Sequence, residues 1–169
     1  MKTKTLLATL TIACLAITSH ATPAAADNPA NEPGEQRLIH SMLDESYCFD
    51  ASLDPAKQGH VVYLFKCHGR ENQRWTLARN EDGTTSIIGL EGKCLDVKGA
   101  RVKDETPLQL FPCHYRANQR FNLTPSGRIK EVQSGKCLTV SGAGDRKALF
   151  IDECDEQVKK QTWHVSTSV

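Results

Sequence analysis

Six cysteines beyond residue 40 are separated by 19, 27, 19, 24 and 17 residues, so a gap of 17 to 19 recurs three times, once per stretch of about 41 to 46 residues. A chain with such a period is built from units that cannot bury an apolar face alone and must stack to share one core. The recurrence pairs Cys48 with Cys67, Cys94 with Cys113 and Cys137 with Cys154, one bridge per unit. Closing a loop of under 20 residues restricts the unfolded chain by about 3 kcal/mol per bridge in the loop-entropy account.

Other residues keep the same period. A Gln-x-aromatic element closes each unit, as Gln73-Arg74-Trp75, Gln119-Arg120-Phe121 and Gln161-Thr162-Trp163, and a turn glycine opens each, at Gly34, Gly83 and Gly127. Cys-Leu recurs in Lys93-Cys94-Leu95-Asp96-Val97 and Lys136-Cys137-Leu138-Thr139-Val140, with Tyr47-Cys48-Phe49-Asp50 as a divergent first copy. Short strand signals at Ser86 to Ile88, Cys94 to Val97, Leu108 to Phe111 and Arg120 to Leu123 alternate with Gly, Asp, Asn and Pro clusters, and long 3.6-residue periodicity is absent. Three units of about four strands predict a closed or semi-closed all-β assembly in which Trp75, Phe121 and Trp163 meet.

The N-terminal segment reads differently. Lys2 and Lys4 precede a 12-residue apolar run from Leu6 to Ile17, too short for a membrane span and right for a secretory signal. Small residues place cleavage near Ala21, which ends the signal at residue 21, or near Ala26. A lipoprotein anchored through Cys14 is the alternative, against which the run Leu15-Ala16-Ile17 continues past the cysteine. Residues 22–36 form a Pro/Ala-rich tract with nothing large to bury, expected to be disordered. Residues 37–169 remain for one domain, with repeats at about 37–82, 83–125 and 126–169. Export also makes six paired cysteines the expected state.

Several functions are excluded on composition. Two of the 21 basic residues and none of the 20 acidic ones belong to the signal, so the remaining chain is near neutral, and no basic stripe supports a nucleic-acid partner. There is no G-x-S-x-G, H-E-x-x-H or C-x-x-C, and no cysteine is spare once the pairs form, so neither an enzyme nor a metal or other cofactor is expected. His68 and His114, each directly after the second cysteine of its unit, read as surface or turn histidines. The Asp152, Glu153, Asp155, Glu156 cluster lacks the spacing of a calcium loop and reads as a solvated loop.

Three Gln-x-Trp/Phe elements in register with three cysteine pairs resemble the ricin B-type lectins, also called Q-x-W or R-type lectins. The resemblance covers residue 37 to the C terminus and implies a β-trefoil with pseudo-threefold symmetry and no catalytic role. It implies a sugar site within each repeat, made of an aspartate two residues after the first cysteine, an aromatic platform before the second and an Asn-Gln pair. The second repeat has the full set in Asp96, Gln109, Phe111, Asn118 and Gln119. In the first, Asp50, Phe65, Asn72 and Gln73 correspond, with Tyr63 in place of Gln109. In the third, Thr139 replaces the aspartate, Phe150 and Asp152 replace the glutamine and aromatic, and Lys160 replaces the asparagine, so it is expected to bind no sugar.

These residue types suit a pyranose, whose C–H face takes an aromatic ring and whose hydroxyl rim takes carboxylate and amide hydrogen bonds. Gln73 and Gln119 are expected to brace Asp50 and Asp96 rather than touch sugar. Leu64 and Leu110 should face the core and leave Phe65 and Phe111 outward. The resemblance points to a secreted lectin for galactose or N-acetylgalactosamine-like glycans on glycoproteins, glycolipids or polysaccharides. The alternatives are the receptor-binding subunit of a secreted toxin, with a toxin partner chain, or a detached polysaccharide-binding module serving an enzyme.

Overall fold

A computed structural model describes residues 34–51 and 60–167; the expected signal, most of the leader and Cys14 lie outside them. The chain forms β1 (Gln36–Arg37), β2 (Ile39–Ser41), β3 (Asp44–Ala51), β4 (His60–Lys66), β5 (Trp75–Arg79), β6 (Thr85–Ile88) and β7 (Cys94–Val97). It continues with β8 (Thr106–Phe111), β9 (Phe121–Leu123), β10 (Ile129–Glu131), β11 (Cys137–Val140), β12 (Lys147–Asp152) and β13 (Trp163–Val165). Among the described residues, helix is confined to one-turn 3-10 segments, and no helix is long and apolar enough to cross a membrane.

Each repeat contributes four strands, β2–β5, β6–β9 and β10–β13, and the equivalent strands occupy equivalent places. The inner hairpins β3–β4, β7–β8 and β11–β12 are antiparallel, and their second strands pair with one another in a closed triangle of β4 with β8, β8 with β12 and β12 with β4. The outer strands form a ring: β1 on β5, β5 on β6, β6 on β9, β9 on β10, and β13 on β2. The ring closes between β10 and β13 through one backbone bond, Trp163 N–H to Gly127 O at 2.8 Å. This is a β-trefoil, as expected.

Leu38 divides the first strand into two pieces with different partners, since Arg37 faces Trp75 while Ile39 faces Val165. The outer turns depend on glycine at two points. Gly83 and Gly127 have φ of 83° and 79°, a left-handed backbone that disfavours a side chain, and each N–H closes its turn onto Asn80 O or Thr124 O at 3.0 Å.

Alternation along the strands separates core from surface. Trp75, Phe121 and Trp163 are buried in one cluster with Phe49, Leu64, Leu95, Leu110 and Leu138, each large side chain contributing ~1.5–3 kcal/mol on burial. Phe49 lies edge-on to both tryptophans, with ring centroids 6.2 Å from Trp75 and 4.7 Å from Trp163. The indole N–H groups are also satisfied by equivalent carbonyls, Trp75 to Phe49 O at 3.2 Å and Trp163 to Leu138 O at 3.1 Å. Three disulfides join 48 to 67, 94 to 113 and 137 to 154, one per repeat, with Cα separations of 5.0–5.1 Å.

Candidate functional site

The three Gln-x-aromatic elements lie at one-turn 3-10 segments, Glu71–Gln73, Ala117–Gln119 and Lys159–Gln161, which deliver the aromatic to the core two residues later. The turn points two consecutive side chains inward in the first two repeats, Asn72 with Gln73 and Asn118 with Gln119, all buried. In the third only Gln161 is buried and Lys160 is exposed. Alternation on the facing hairpin places Asp50 opposite Tyr63, Asp96 opposite Gln109 and Thr139 opposite Phe150.

In the second repeat Asp96 is 2 % exposed and its carboxylate is held from three sides. Asn118 Nδ2 and Gln119 Nε2 donate to Oδ2 at 2.8 and 2.9 Å, and Gln109 Nε2 donates to Oδ1 at 3.0 Å. A carboxylate offers about four acceptor positions, so the open one is on Oδ1. Gln119 is fully buried and acts as the brace: Nε2 also donates to Pro112 O at 3.1 Å, and Oε1 accepts His114 N–H at 2.8 Å and Tyr115 N–H at 3.1 Å. Phe111 stands 44 % exposed beside this group while Leu110 goes to the core. Asp96, Gln109, Phe111 and Asn118 line an open cleft of about 570 Å³.

The first repeat reproduces this arrangement. Asn72 Nδ2 donates to Asp50 Oδ1 and Gln73 Nε2 to Oδ2, both at 2.8 Å, and Gln73 ties Lys66 O to the His68 and Gly69 N–H groups. Tyr63 takes the place of Gln109, its hydroxyl hydrogen-bonding the Asp50 carboxylate. Burial raises the Asp50 pKa above the ordinary carboxylate value, and the bonds from Gln73, Asn72 and Tyr63 oppose that rise. Phe65 is half-buried and lies next to Tyr63, ring centroids 6.4 Å apart.

In the third repeat the brace survives without a carboxylate. Gln161 Nε2 donates to Thr139 Oγ1 at 3.0 Å and Glu153 O at 2.7 Å, and Oε1 accepts Asp155 N–H at 2.7 Å. Thr139 is wholly buried and donates to Cys137 O at 2.9 Å, so this repeat presents no charged acceptor at that position.

Two side chains at these sites carry more than the sequence indicated. His68 and His114 occupy turns, but their Nε2 atoms lie 3.5 Å from Asp50 Oδ2 and Asp96 Oδ2. In each, Nδ1 accepts a backbone N–H at 3.2 Å, from Arg70 and Arg116, which puts the proton of the neutral ring on Nε2, facing the carboxylate. The rings also stand edge-on to Phe65 and Phe111, at 6.0 and 6.1 Å. Their recurrence in repeats one and two, against Asp155 in repeat three, was the available signal.

No curated protein sequence matches the chain. Among solved structures, a designed threefold-symmetric protein, ThreeFoil, is similar with a TM-score of 0.73 at 20 % identity, over 79 % of this chain and 99 % of that one. A Polyporus squamosus lectin bound to the epitope Neu5Acα2-6Galβ1-4GlcNAc has a TM-score of 0.69 at 16 % identity, over 80 % of this chain and 50 % of that one. A non-toxic homologue of type II ribosome-inactivating proteins from Momordica charantia, in complex with α-methyl-D-galactoside, has a TM-score of 0.63 at 26 % identity. That match covers 79 % of this chain and 48 % of the other, so the chain spans about half of either natural relative. The family profile of the ricin-type beta-trefoil lectin domain matches residues 35–163, and the chain belongs to that family.

Proposed function

We propose that the protein is a secreted, non-enzymatic lectin that binds galactose or N-acetylgalactosamine-like termini through repeats one and two, with repeat three structural. The observation that carries this reading is a buried carboxylate, held by an Asn-Gln pair beside an aromatic side chain, present twice and missing from the third copy. An ionised carboxylate with an acceptor position open accepts from a sugar hydroxyl, and Phe111 or Phe65 takes the C–H face. Burial of the brace fixes the acceptor before the ligand arrives, which lowers the ordering cost of binding. Three disulfides suit an oxidising, extracellular setting.

The test is a glycan array probed with wild type, Phe111→Ala, Phe65→Ala and the double variant. The exposed position of Phe111 keeps the fold out of the measurement. Loss of galactoside signal in the double variant, with each single variant retaining part of it, is expected. Undiminished binding by the folded double variant refutes the assignment.

A further inference from the structure

We infer that the repeat-two cleft is built for an anionic glycan, a galactoside-type terminus carrying a carboxylate or sulfate ester, and that Lys98, Arg101 and Arg116 receive its charge. The inference rests on the lectin reading of this cleft. It arises from what surrounds the sugar-binding set: Lys98, Arg101 and Arg116 all line the same cleft as Asp96 and Phe111. Among the described residues the only acid lining it is Asp96, buried and already accepting three hydrogen bonds.

Among the described residues none of these three cations has an ion-pair partner, although other basic side chains do. Lys136 is held between Asp104 and Glu153, Arg128 pairs with Glu156, and Arg120 with Asp82. Asp104 and Glu105 share a smaller neighbouring hollow with Lys98 and Arg101, but Asp104 is engaged by Lys136. The concentration of charge is local, since the whole chain carries a net charge of only +1. A concave surface of one sign focuses its field on the ligand and is screened only over a Debye length of about 8 Å at physiological salt.

The wall bearing these charges is also fixed. Lys98–Ala100 form a 3-10 turn that Gly99 enters at φ 67°, and Gln133 of the third repeat donates to Ala100 O at 2.9 Å, pinning the turn across the repeat boundary. Arg116 starts at a backbone N–H anchored on His114 Nδ1. The third repeat is of mixed sign, with Asp152, Glu153, Asp155 and Glu156 near Lys159 and Lys160 around its altered set, so the cationic rim is not a property of the fold.

The experiment titrates the whole mature protein with N-acetyllactosamine and with its sulfated, sialylated and uronic-acid-bearing counterparts, by calorimetry at low and at physiological salt. Partly exposed ion pairs of this kind predict an affinity ratio of about fivefold to tenfold in favour of one or more anionic ligands, shrinking as salt is raised. The ligand that shows it identifies the charged group as sulfate or carboxylate. Lys98→Gln/Arg101→Gln brings that ratio towards one, whereas Lys159→Gln on the third repeat leaves it unchanged. Equal affinity for neutral and anionic ligands overturns the inference and leaves the lectin reading standing. Binding of no galactoside, charged or neutral, overturns both.

Discussion

Replacing Gln119 by Leu tests whether the Gln-x-aromatic glutamine is part of the scaffold. The side chain is fully buried and makes four hydrogen bonds, to Asp96 Oδ2, Pro112 O, His114 N and Tyr115 N. A bond to a charged group contributes ~1.5–3 kcal/mol and a neutral one ~0.5–1.5 kcal/mol, and leucine leaves the three backbone groups and the carboxylate short of partners. The expected loss is about 4 kcal/mol, large against a domain stability of ~5–15 kcal/mol but insufficient to unfold a chain with three disulfides. Gln161→Leu is the internal reference. It removes three neutral bonds and no bond to a carboxylate, so its expected cost is about 2.5 kcal/mol. Urea unfolding under non-reducing conditions, followed by tryptophan fluorescence, measures both. Gln119→Leu should also weaken galactoside binding by at least about tenfold, one pKd unit being ~1.4 kcal/mol of lost preorganisation, while Gln161→Leu leaves it intact. A cost below about 1 kcal/mol for either variant, or a larger cost for Gln161→Leu, refutes the brace reasoning.

Binding through repeat one alone, isolated in an Asp96→Ala background, should fall as the pH drops through the raised Asp50 pKa, at a pH above the ordinary carboxylate midpoint of ~3.9. Because that pKa is raised on folding, the stabilisation from protonated Asp50 is present below the unfolded value and lost as the pH rises through the folded one. Acid in this window therefore removes ligand without unfolding the protein through this group, which circular dichroism at each pH checks. Gly89→Ala puts a Cβ 2.5 Å from Trp75 Cζ3 and should cost ~1–3 kcal/mol by overpacking, read from the thermal midpoint. Removing the third bridge with Cys137→Ala/Cys154→Ala should cost about 3 kcal/mol in urea and leave repeat-two binding within about twofold.

Periodic signals carried the threefold repeat and the all-β class, and the resemblance to the ricin B-type lectins supplied the trefoil. Recurring cysteine gaps of 17 to 19 residues named the disulfides, and Cys94–Val97 was bounded correctly because a cysteine and a turn frame it. Alternation sent Leu64 and Leu110 inward and left Phe111 out. What the sequence withheld was pairing between repeats. Nothing in a period of two says that the strand broken at Leu38 serves β5 with one half and β13 with the other. Ring orientation was equally hidden, so His68 and His114 read as turn residues while their Nε2 atoms face the carboxylates. Glu131 is another such case. It is buried beside Phe121 because its carboxylate accepts the Gln133 and Ser134 N–H groups of its own turn, a local bond that hydropathy does not register.

The Gln161 brace has a consequence for how such proteins change over time. The third repeat has Thr139 and Lys160 where the other two have aspartate and asparagine, yet it has the glutamine, which holds the chain after the second cysteine whether or not a carboxylate is present. Ligand chemistry is thus separable from architecture: a repeat can fall silent, or regain a carboxylate and an amide, through a few side-chain changes on an unaltered backbone. On the proposed reading, the number of sugar-binding repeats then becomes an adjustable valence that can be tuned without putting folding at risk.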